Sequence, residues 1–494
     1  MTDTILVRTA RGAGWVMAWR FGMRALGLVS TLVLVRLLAP ADFGLIALAN
    51  GFMQSVDGLM SLGTEEAVIR THNPDRAVYD TAFTLTAMRG LFVAFLVAVA
   101  AFPAADLFGE SRLGPVLLVV AVLPLLDGLS NIGTVDFRRN MTFHKEFALM
   151  VLPKFGGILA AILAAILLRS YVAMLCGMLV NRTLRMIMTY VMHPLRPRFS
   201  LRAWPALVGY SLWTWLLSLA ALLRDRSDSL ILGRLAGPAS LGFYSVGAEI
   251  AALPMTEFIE PLGRAAFAGF AAAGQEGADI RTTFLRLIGF SALLAFPVGI
   301  GLSAVAAPLT HLALGSGWDA AIPVLQVLGI AGTMLVFGHL SQHFLSARAL
   351  LRPLVAIALG GAGLRIALLF ALIPPFGVTG AALAAGLAIC AEQAVILLVA
   401  LRRLDIGAVT LVGQVWRPAA AASVMAVGLF LMGLGWTPAI GVMPLVAAIA
   451  AGAGSFVLAL LALWLAAGRP AGAESDLLEL ATRALNRARP ARRR

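Results

Sequence analysis

Apolar blocks of about twenty or more residues follow one another along most of this 494-residue chain. The hydrocarbon core of a bilayer is about 30 Å thick, and a helix of roughly 20 apolar residues crosses it. The sequence therefore predicts an all-α, polytopic membrane protein with about 14 transmembrane helices. The fourteen blocks lie at about residues 12–37, 42–64, 79–102, 112–135, 147–168, 170–192, 205–233, 239–262, 283–306, 321–346, 353–373, 376–401, 412–435 and 439–467.

The composition excludes a soluble protein of this length. Hydrophobic residues make up 60% of the chain and charged residues 13%, and the mean hydropathy is +0.91. A soluble domain carries about 25% charged residues. The net charge of +13 does not indicate a nucleic-acid partner, because the basic residues are almost all arginines spread over short connections. We expect membrane lipids to be the partners of these arginines.

The arginines alternate along the chain between basic and nearly neutral connections. By the positive-inside rule the basic connections face the cytoplasm. We therefore expect a multi-pass protein of a bacterial inner membrane with both termini in the cytoplasm, and call the two faces the basic side and the opposite side. The basic connections carry Arg8, Arg11, Arg70, Arg76, Arg138, Arg139, Lys145, Arg196, Arg198, Arg202, Arg264, Arg281, Arg348, Arg352, Arg402 and Arg403.

One short segment occurs twice at a constant offset of 198 residues. Residues 36–44 read R-L-L-A-P-A-D-F-G, and residues 234–242 read R-L-A-G-P-A-S-L-G. Six spans separate the copies, so both have the same orientation in the membrane. This predicts two six-helix lobes related by a pseudo-two-fold axis along the membrane normal, an architecture of transporters. The lobes are residues 1–204 and 205–402, followed by two further helices in 403–467 and a basic cytoplasmic tail in 468–494.

The same hairpins carry a family resemblance. The segments L-V-R-L-L-A-P-A-D-F-G-L-I-A-L, G-T-E-E-A-V-I-R and D-S-L-I-L-G-R-L-A-G-P-A-S-L-G-F-Y-S-V-G resemble Wzx-type polysaccharide-repeat flippases. Those proteins belong to the multidrug/oligosaccharidyl-lipid/polysaccharide exporter superfamily. The resemblance implies alternating-access flipping of undecaprenyl-pyrophosphate-linked oligosaccharide to the outer leaflet for O-antigen or exopolysaccharide biosynthesis. It also implies coupling to an H⁺ or Na⁺ gradient without a bound cofactor, and a polysaccharide polymerase and glycosyltransferases as partners.

Three arginines near mid-span are the predicted substrate-binding residues. A charge near the bilayer centre needs a partner or a watery cavity. Arg20 and Arg24 lie one turn apart in the first span, and Arg89 lies in the third. The arginine fork suits the pyrophosphate of an anionic headgroup. The structural alternative left open is that Arg20 or Arg24 pairs with Asp57, and Arg89 with Asp127.

A second group of charges is predicted to serve coupling or gating. Arg224 and Asp228 share a helix face at i, i+4 and can form an ion pair. Glu249 lies near mid-depth without a partner in its own helix, which suits either proton coupling or a structural hydrogen bond. The candidates are Asp57, Asp127, Glu249, Arg224, Asp228 and Arg365, the last of which can pair with Glu392.

No motif indicates catalysis or metal binding. A Gly-Lys-Ser/Thr phosphate loop is absent from the sequence, and His339 and His343 lack a third ligand in their span. We therefore predict a carrier and not an enzyme. Three alternatives remain: a flippase for the lipid-linked peptidoglycan precursor, a cation-coupled multidrug antiporter of the same superfamily, and a non-transporting scaffold. The cationic charge of the first lobe disfavours the antiporter but does not separate the two flippases.

Overall fold

The computed structural model describes residues 22–60, 64, 68–69, 71, 74–140, 142–204, 212–276, 280–348, 350–437, 441–470 and 472–475. Every regular element in these ranges is helical, so the predicted all-α fold is confirmed. The helices are α1 (22–37), α2 (Pro40–Leu59), α3 (Arg76–Phe108), α4 (Leu113–Val120), α5 (Val122–Gly128), α6 (Val135–Arg139), α7 (Phe143–Leu168), α8 (Val172–Met192), α9 (Leu212–Glu276), α10 (Ile280–Ala304), α11 (Ala306–Ala313), α12 (Ile322–Ala347), α13 (Leu351–Arg403), α14 (Ala408–Leu431) and α15 (Val442–Ala466). Two 3₁₀ turns, Ile132–Thr134 and Ser316–Ala321, connect them.

Within the described ranges, eight helices are long and apolar enough to cross a membrane, or nine if a helix pair bent by 64° counts as one span. The chain is thus a multi-pass membrane protein. Two helices contain a break, α9 at Gly237 (φ 81°) and α13 at Gly377 (φ 55°). The 53 residues of α13 would extend about 80 Å at ~1.5 Å per residue, more than twice the bilayer core. The count of 14 crossings remains a prediction.

The chain divides into two compact units, Met1–Ser245 and Val246–Arg494, which we call the first and second unit. The division falls inside α9, whose helical residues continue through it. The predicted lobes, 1–204 and 205–402, and the appended segments 403–467 and 468–494 remain predictions.

Helix ends in the first unit follow from local chemistry. Pro40 begins α2, where its fixed φ and missing N–H suit the first turn, and the Asp42 carboxylate accepts a hydrogen bond from the Ala39 N–H at 3.2 Å. Asp75 caps α3 by accepting from the Val78 N–H at 3.0 Å. Gly109 ends α3 in the left-handed region (φ 67°).

Helix α3 has an apolar exposed face of the kind that contacts lipid. Its opposite face is buried and made of small or medium side chains, which allow neighbouring helices to approach closely. The exposed residues, each about 60% accessible, are Leu91, Phe95, Val99 and Phe102. The buried residues of the other face include Gly90, Val93, Val97 and Ala101.

Two glycines let α3 and α5 cross in backbone contact. A Cβ on Gly90 would overlap the carbonyl oxygen of Pro124, and a Cβ on Gly128 would lie 2.7 Å from the carbonyl oxygen of Thr86. Each glycine directly follows a charged residue of the sequence, Arg89 and Asp127 respectively. The crossing therefore fixes where each of these two charged residues lies on its own helix.

Replacing Gly90 by alanine is expected to lower the free energy of unfolding by about 1–3 kcal/mol, because the methyl group forces the two backbones apart. Gly27→Ala is the matched control, since a Cβ on Gly27 meets no atom of the described residues within 4 Å. That variant should be neutral or up to ~1 kcal/mol more stable, as alanine favours a helix over glycine. Denaturant unfolding of the purified proteins in detergent checks both, and equal stabilities would contradict the crossing.

The second unit ends in a buried ion pair. Arg417, in α14, donates hydrogen bonds to both carboxylate oxygens of Glu474 at 2.7 and 3.2 Å, and their side chains are only 6% and 7% exposed. Ala473 is also buried and packs near Gly289 of α10. The start of the predicted basic tail is therefore docked into the helices of this unit. The rest of that tail, from 476 onward, lies outside the described residues.

Candidate functional site: an arginine-lined cavity

The crossing of α3 and α5 forms one wall of a polar cavity in the first unit, with a volume of about 240 Å³. Helices α3, α5, α7 and α8 and the connection between α5 and α7 contribute its lining. Four arginines face two carboxylates, which leaves an excess of two positive charges. The charged lining residues are Arg89, Arg138, Arg182, Arg185, Asp127 and Glu146. Hydroxyl and amide groups of Thr86, Ser130, Asn131, Thr134 and Thr189 complete the polar surface.

The cavity runs from mid-helix towards the basic side. Arg89 and Arg182 lie in the middle of α3 and α8, and Asp127 lies at the end of α5. Arg138 belongs to the connection between α5 and α7, and Glu146 lies in the first turn of α7. Arg182 donates a hydrogen bond to Asp127 at 3.0 Å. Arg138 donates one to Glu146 at 2.6 Å. The charged lining thus extends from the middle of α3 and α8 to the connection before α7.

The contact between Arg89 and Asp57 is looser than the other two pairs. Arg89 Nη1 lies 3.4 Å from Asp57 Oδ1. Within the described part of the chain, Arg89 Nε and Asp57 Oδ1 are both shielded from solvent and have no hydrogen-bond partner. A buried polar group without a partner costs about 1–3 kcal/mol. Arg89 therefore has a buried N–H at Nε that no described residue accepts.

The segment 193–204, irregular up to residue 201 and then a turn, packs along the start of α3. Its backbone N–H groups donate to α3 side chains, from Arg198 to Asp80 at 2.8 Å and from Ser200 to Thr84 at 2.8 Å. Asn131, a cavity residue, donates to the Leu195 carbonyl at 2.7 Å. These bonds hold the wall of the cavity next to Asn131 in place.

His193 begins this segment and is bonded on both ring nitrogens. Its Nδ1 accepts from the Leu195 N–H at 3.2 Å, and its Nε2 lies 3.4 Å from Asp136. Burial lowers the pKa of His193, and the nearby Asp136 carboxylate only partly opposes this effect. The imidazole is thus a neutral, structural group at neutral pH.

The structure brings together some of the predicted substrate-binding residues. Arg89 lines the cavity, whereas Arg24 is half-buried elsewhere and does not line it. Arg20 lies outside the described residues. The alternative pairing of Arg89 with Asp127 is wrong, because Arg89 contacts Asp57 and Asp127 is bonded to Arg182. The α3–α5 crossing leaves Asp127 on the side of α8, which sequence spacing does not reveal.

The remaining coupling and gating candidates lie outside this cavity. Arg224 contacts Asp225 at 3.0 Å, and the buried Asp228 accepts a hydrogen bond from Tyr244. Glu249 is exposed, whereas its neighbour Ile250, about 100° further around α9, is buried. Their roles in coupling or gating remain predictions.

In the second unit, Arg365 and Glu392 are both buried, on the two halves of α13. Glu392 lies against Gly361, one turn before Arg365. This geometry is consistent with the predicted neighbourhood of the two charges. A separate cavity of about 290 Å³ between α10, α14 and α15 is lined wholly by apolar residues and glycine, so it offers no group that binds a headgroup.

Of the four cavity arginines, only Arg89 was predicted from the sequence to bind substrate. Arg182 and Arg185 are i, i+3 neighbours on one face of α8, but their position near the basic side also suits side chains that reach the membrane surface. Arg138 reads as an ordinary arginine of a basic connection. The signal that could have found them is the i, i+3 spacing combined with Asp127, the acidic residue of span four. Within the described ranges, no cluster of three or more His, Cys, Asp or Glu could hold a metal ion.

Comparison with known proteins gives a family and several relatives. Residues 33–323 match the model of a family described as polysaccharide biosynthesis protein. The lipopolysaccharide biosynthesis protein WzxC of Escherichia coli is 25% identical over 355 residues, covering 69% of this chain and 70% of that protein. The succinoglycan biosynthesis transport protein ExoT of Rhizobium meliloti is 25% identical over 338 residues, covering 68% of each chain.

Solved structures share the fold at low sequence identity. A lipid II flippase MurJ in an inward closed conformation has a TM-score of 0.73 at 13% identity, covering 92% of this chain and 99% of that one. An inward-facing multidrug resistance transporter of the MATE family in the MOP superfamily has a TM-score of 0.59 at 14% identity, covering 77% and 94%. The fold is thus one that membrane transporters use.

Proposed function

Because the chain belongs to the polysaccharide biosynthesis protein family, we propose that it is a flippase that moves undecaprenyl-pyrophosphate-linked oligosaccharide units across a bacterial inner membrane. The family relationship, which the two hairpins indicated, supports a polysaccharide precursor as cargo. The observation that carries the proposal is the cavity with four arginines against two carboxylates. The chain acts as a carrier and not as an enzyme.

The cavity chemistry fits a diphosphate headgroup. Arginine keeps its charge at any physiological pH and presents paired donors to phosphate oxygens. Sugars and diphosphate cannot enter ~30 Å of hydrocarbon without such groups, because each unpaired polar group there is costly. The four arginines take the place of water around the diphosphate, and the hydroxyl groups of the lining serve the first sugar. The prenyl tail stays in the bilayer.

The pairing of the arginines suggests the order in which they meet the cargo. Arg89 has an unsatisfied Nε and a long contact to Asp57, whereas Arg182 is already well bonded to Asp127. A phosphate oxygen therefore gains most hydrogen-bond energy at Arg89, because binding there breaks only the weak contact with Asp57. The diphosphate would replace Asp57 as the anion next to Arg89. Coupling of the return step to an H⁺ or Na⁺ gradient, and delivery to a polymerase from glycosyltransferases, complete the proposed cycle.

The excess of positive charge in the cavity also bears on the alternative functions. A multidrug antiporter that binds cationic drugs needs an anionic or aromatic cavity, so the positive excess disfavours it. A peptidoglycan-precursor flippase handles the same diphosphate chemistry. The lipid II flippase that shares this fold is only 13% identical in sequence. An experiment therefore has to distinguish the polysaccharide precursor from the peptidoglycan precursor as cargo.

Deleting the gene is expected to stop export of surface polysaccharide and to accumulate lipid-linked repeat units at the inner leaflet. Complementation with the wild-type chain should restore both. Extraction and mass analysis of the lipid-linked intermediates checks the result. Loss of viability with accumulation of the peptidoglycan precursor would assign the other cargo, and unchanged surface polymer would overturn the proposal.

A further inference from the structure

The segment that follows α8 presents arginines and large apolar side chains together on its exposed surface. Three arginines are interleaved along the chain with three apolar residues, and we call residues 195–204 the interfacial segment. The exposed residues are Arg196, Arg198 and Arg202, together with Phe199, Leu201 and Trp204, which are 71%, 50% and 51% accessible. Such a mixture is typical of protein at the boundary between lipid headgroups and hydrocarbon, where guanidinium groups meet phosphate and aromatic rings lie between the two layers.

The exposed face of α3 gives the depth of the neighbouring residues in the membrane. The exposed large apolar side chains of this helix begin at Met88 and end at Leu107. At ~1.5 Å per residue they form a band of about 29 Å, which matches the ~30 Å thickness of a hydrocarbon core. The first turns of α3, residues 76–87, therefore lie outside the hydrocarbon, on the basic side.

Backbone hydrogen bonds hold the interfacial segment against these first turns. Its N–H groups donate to the side chains of Asp80, Thr81 and Thr84 at 2.8, 3.1 and 2.8 Å. Asp80 and Thr84 precede Met88 by eight and four residues, so they lie about 12 and 6 Å outside the hydrocarbon band. The headgroup layer adds roughly 5–8 Å on each side of the core. The interfacial segment thus lies along this layer and is fixed there by its own backbone.

The charge around the interfacial segment is positive. Arg76, exposed in the first turn of α3, donates to the Arg196 carbonyl at 3.3 Å and adds a fourth arginine to the three of the segment. The carboxylates beside them are Asp75 and Asp80, and both accept hydrogen bonds from backbone N–H groups. Four arginines against two carboxylates leave an excess of two positive charges. A positive excess at headgroup depth attracts anionic lipid.

The interfacial segment also contacts the wall of the arginine-lined cavity. The Leu195 carbonyl accepts a hydrogen bond from the Asn131 side chain at 2.7 Å and a second one from Arg196 Nη1 at 3.0 Å. Asn131 lines the cavity, whereas Arg196 is exposed. A phosphate group that draws the Arg196 guanidinium outward removes the competing donor from this carbonyl. The bond between Asn131 and Leu195 then becomes stronger.

We propose that the interfacial segment binds anionic phospholipid headgroups of the leaflet on the basic side, and that the bound lipid stabilises the cavity wall at Asn131. The arginines supply paired N–H donors for the phosphodiester, and Phe199 and Trp204 lie against the upper part of the acyl chains. Exposed apolar side chains at this depth favour lipid over an acidic protein surface as the partner. The inference is independent of the cargo, because it concerns the membrane around the protein.

The first test measures which phospholipid lies next to Trp204. The purified protein is placed in nanodiscs of phosphatidylcholine that contain an equal mole fraction of either phosphatidylglycerol or phosphatidylcholine with brominated chains, which quench tryptophan. Because the chain has nine tryptophans, the signal of this one is the difference between the wild type and Trp204→Phe. We expect phosphatidylglycerol to quench it about three-fold more strongly or better. Equal quenching would overturn the proposal and leave an acidic protein as the partner.

A set of arginine variants shows whether the interfacial segment is the source of this preference. Replacing its three arginines by glutamine should make the two brominated lipids quench equally. The matched control removes the same charge from exposed arginines of other basic connections and should keep the preference. That control combines Arg348→Gln, Arg402→Gln and Arg403→Gln. Loss of the preference in the control as well would mean that net charge alone attracts the lipid, and would contradict the assigned site.

Hydrogen exchange tests the effect on the cavity wall with the unaltered chain, so it does not depend on the folding of a variant. The amides of residues 131–134 and 195–203 should exchange about three-fold or more slowly in phosphatidylglycerol than in phosphatidylcholine nanodiscs. Peptides of α10 in the second unit are the internal reference and should not change. Equal exchange in the two lipids would contradict stabilisation by lipid. Since neither measurement involves cargo, unchanged surface polymer after gene deletion would overturn the proposed function alone.

Discussion

Arg89→Ala is expected to reduce polymer export roughly 30-fold or more while the protein still reaches the membrane. Removing one partner of a desolvated, charged hydrogen bond costs about 2–5 kcal/mol, and each ~1.4 kcal/mol is a factor of ten. Arg89 has the unsatisfied Nε in the cavity, so we expect a larger loss than for Arg182→Ala. Export is measured as surface polymer per unit of membrane protein. Arg402→Ala, an exposed arginine of a basic connection, should retain wild-type export.

A double variant separates cargo binding from a structural role of Arg89. If Arg89 serves only to neutralise Asp57, then Asp57→Asn combined with Arg89→Gln removes both charges and should restore export. If the guanidinium binds the diphosphate, the double variant stays inactive although it is stable. Binding of inorganic pyrophosphate to the purified protein, followed by calorimetry, gives a readout independent of the cell. Restored export in the double variant would contradict the arginine-based mechanism.

Glu474→Ala is expected to destabilise the protein by about 3–5 kcal/mol, because it leaves Arg417 as a buried and unpaired charge. The pair is nearly inaccessible to solvent, at 6% and 7% exposure, so screening by water or salt offers little relief. Denaturant unfolding in detergent measures the loss. Replacing both residues by leucine should bring stability back close to that of the wild type, since apolar pairs of similar size often substitute for a buried ion pair.

The matched control for this pair is an exposed one. Arg224 and Asp225 form an ion pair at 3.0 Å with side chains that are 33% and 53% exposed. Asp225→Ala should cost less than about 1 kcal/mol, as exposed ion pairs do. If Glu474→Ala is equally mild, then the tail is not docked onto α14 as the structure describes.

The sequence predicted the membrane class, the helical fold and the family because those properties follow from local patterns. A block of twenty apolar residues indicates a span without any tertiary information. The repeated segment that contains Pro-Ala identifies the two hairpins because the same residues recur at the same positions. Arg89 was found for the same reason: a charge in the middle of an apolar block is a local anomaly.

Other parts of the site depend on how the helices pack, and a single sequence does not predict that packing. Arg89 contacts Asp57 on α2, and sequence spacing does not indicate which of two carboxylates on other helices a mid-span arginine meets. Asp127, at the end of α5, is bonded instead to Arg182 of α8. Glu249 is a similar case, since its depth in a span does not indicate which face of α9 carries it, and the structure leaves it exposed. Glu474 lies beyond the last span, where nothing local indicates a buried residue.

The docked tail has a consequence for synthesis. Arg417 and its carboxylate are separated by 57 residues, so α14 leaves the ribosome and enters the membrane while its counter-ion is still untranslated. An arginine in the interior of a membrane helix opposes insertion by about 2.5–3.5 kcal/mol. The nascent chain therefore holds this helix in an unfavourable state until residues 472–475 emerge and Glu474 can pair with Arg417.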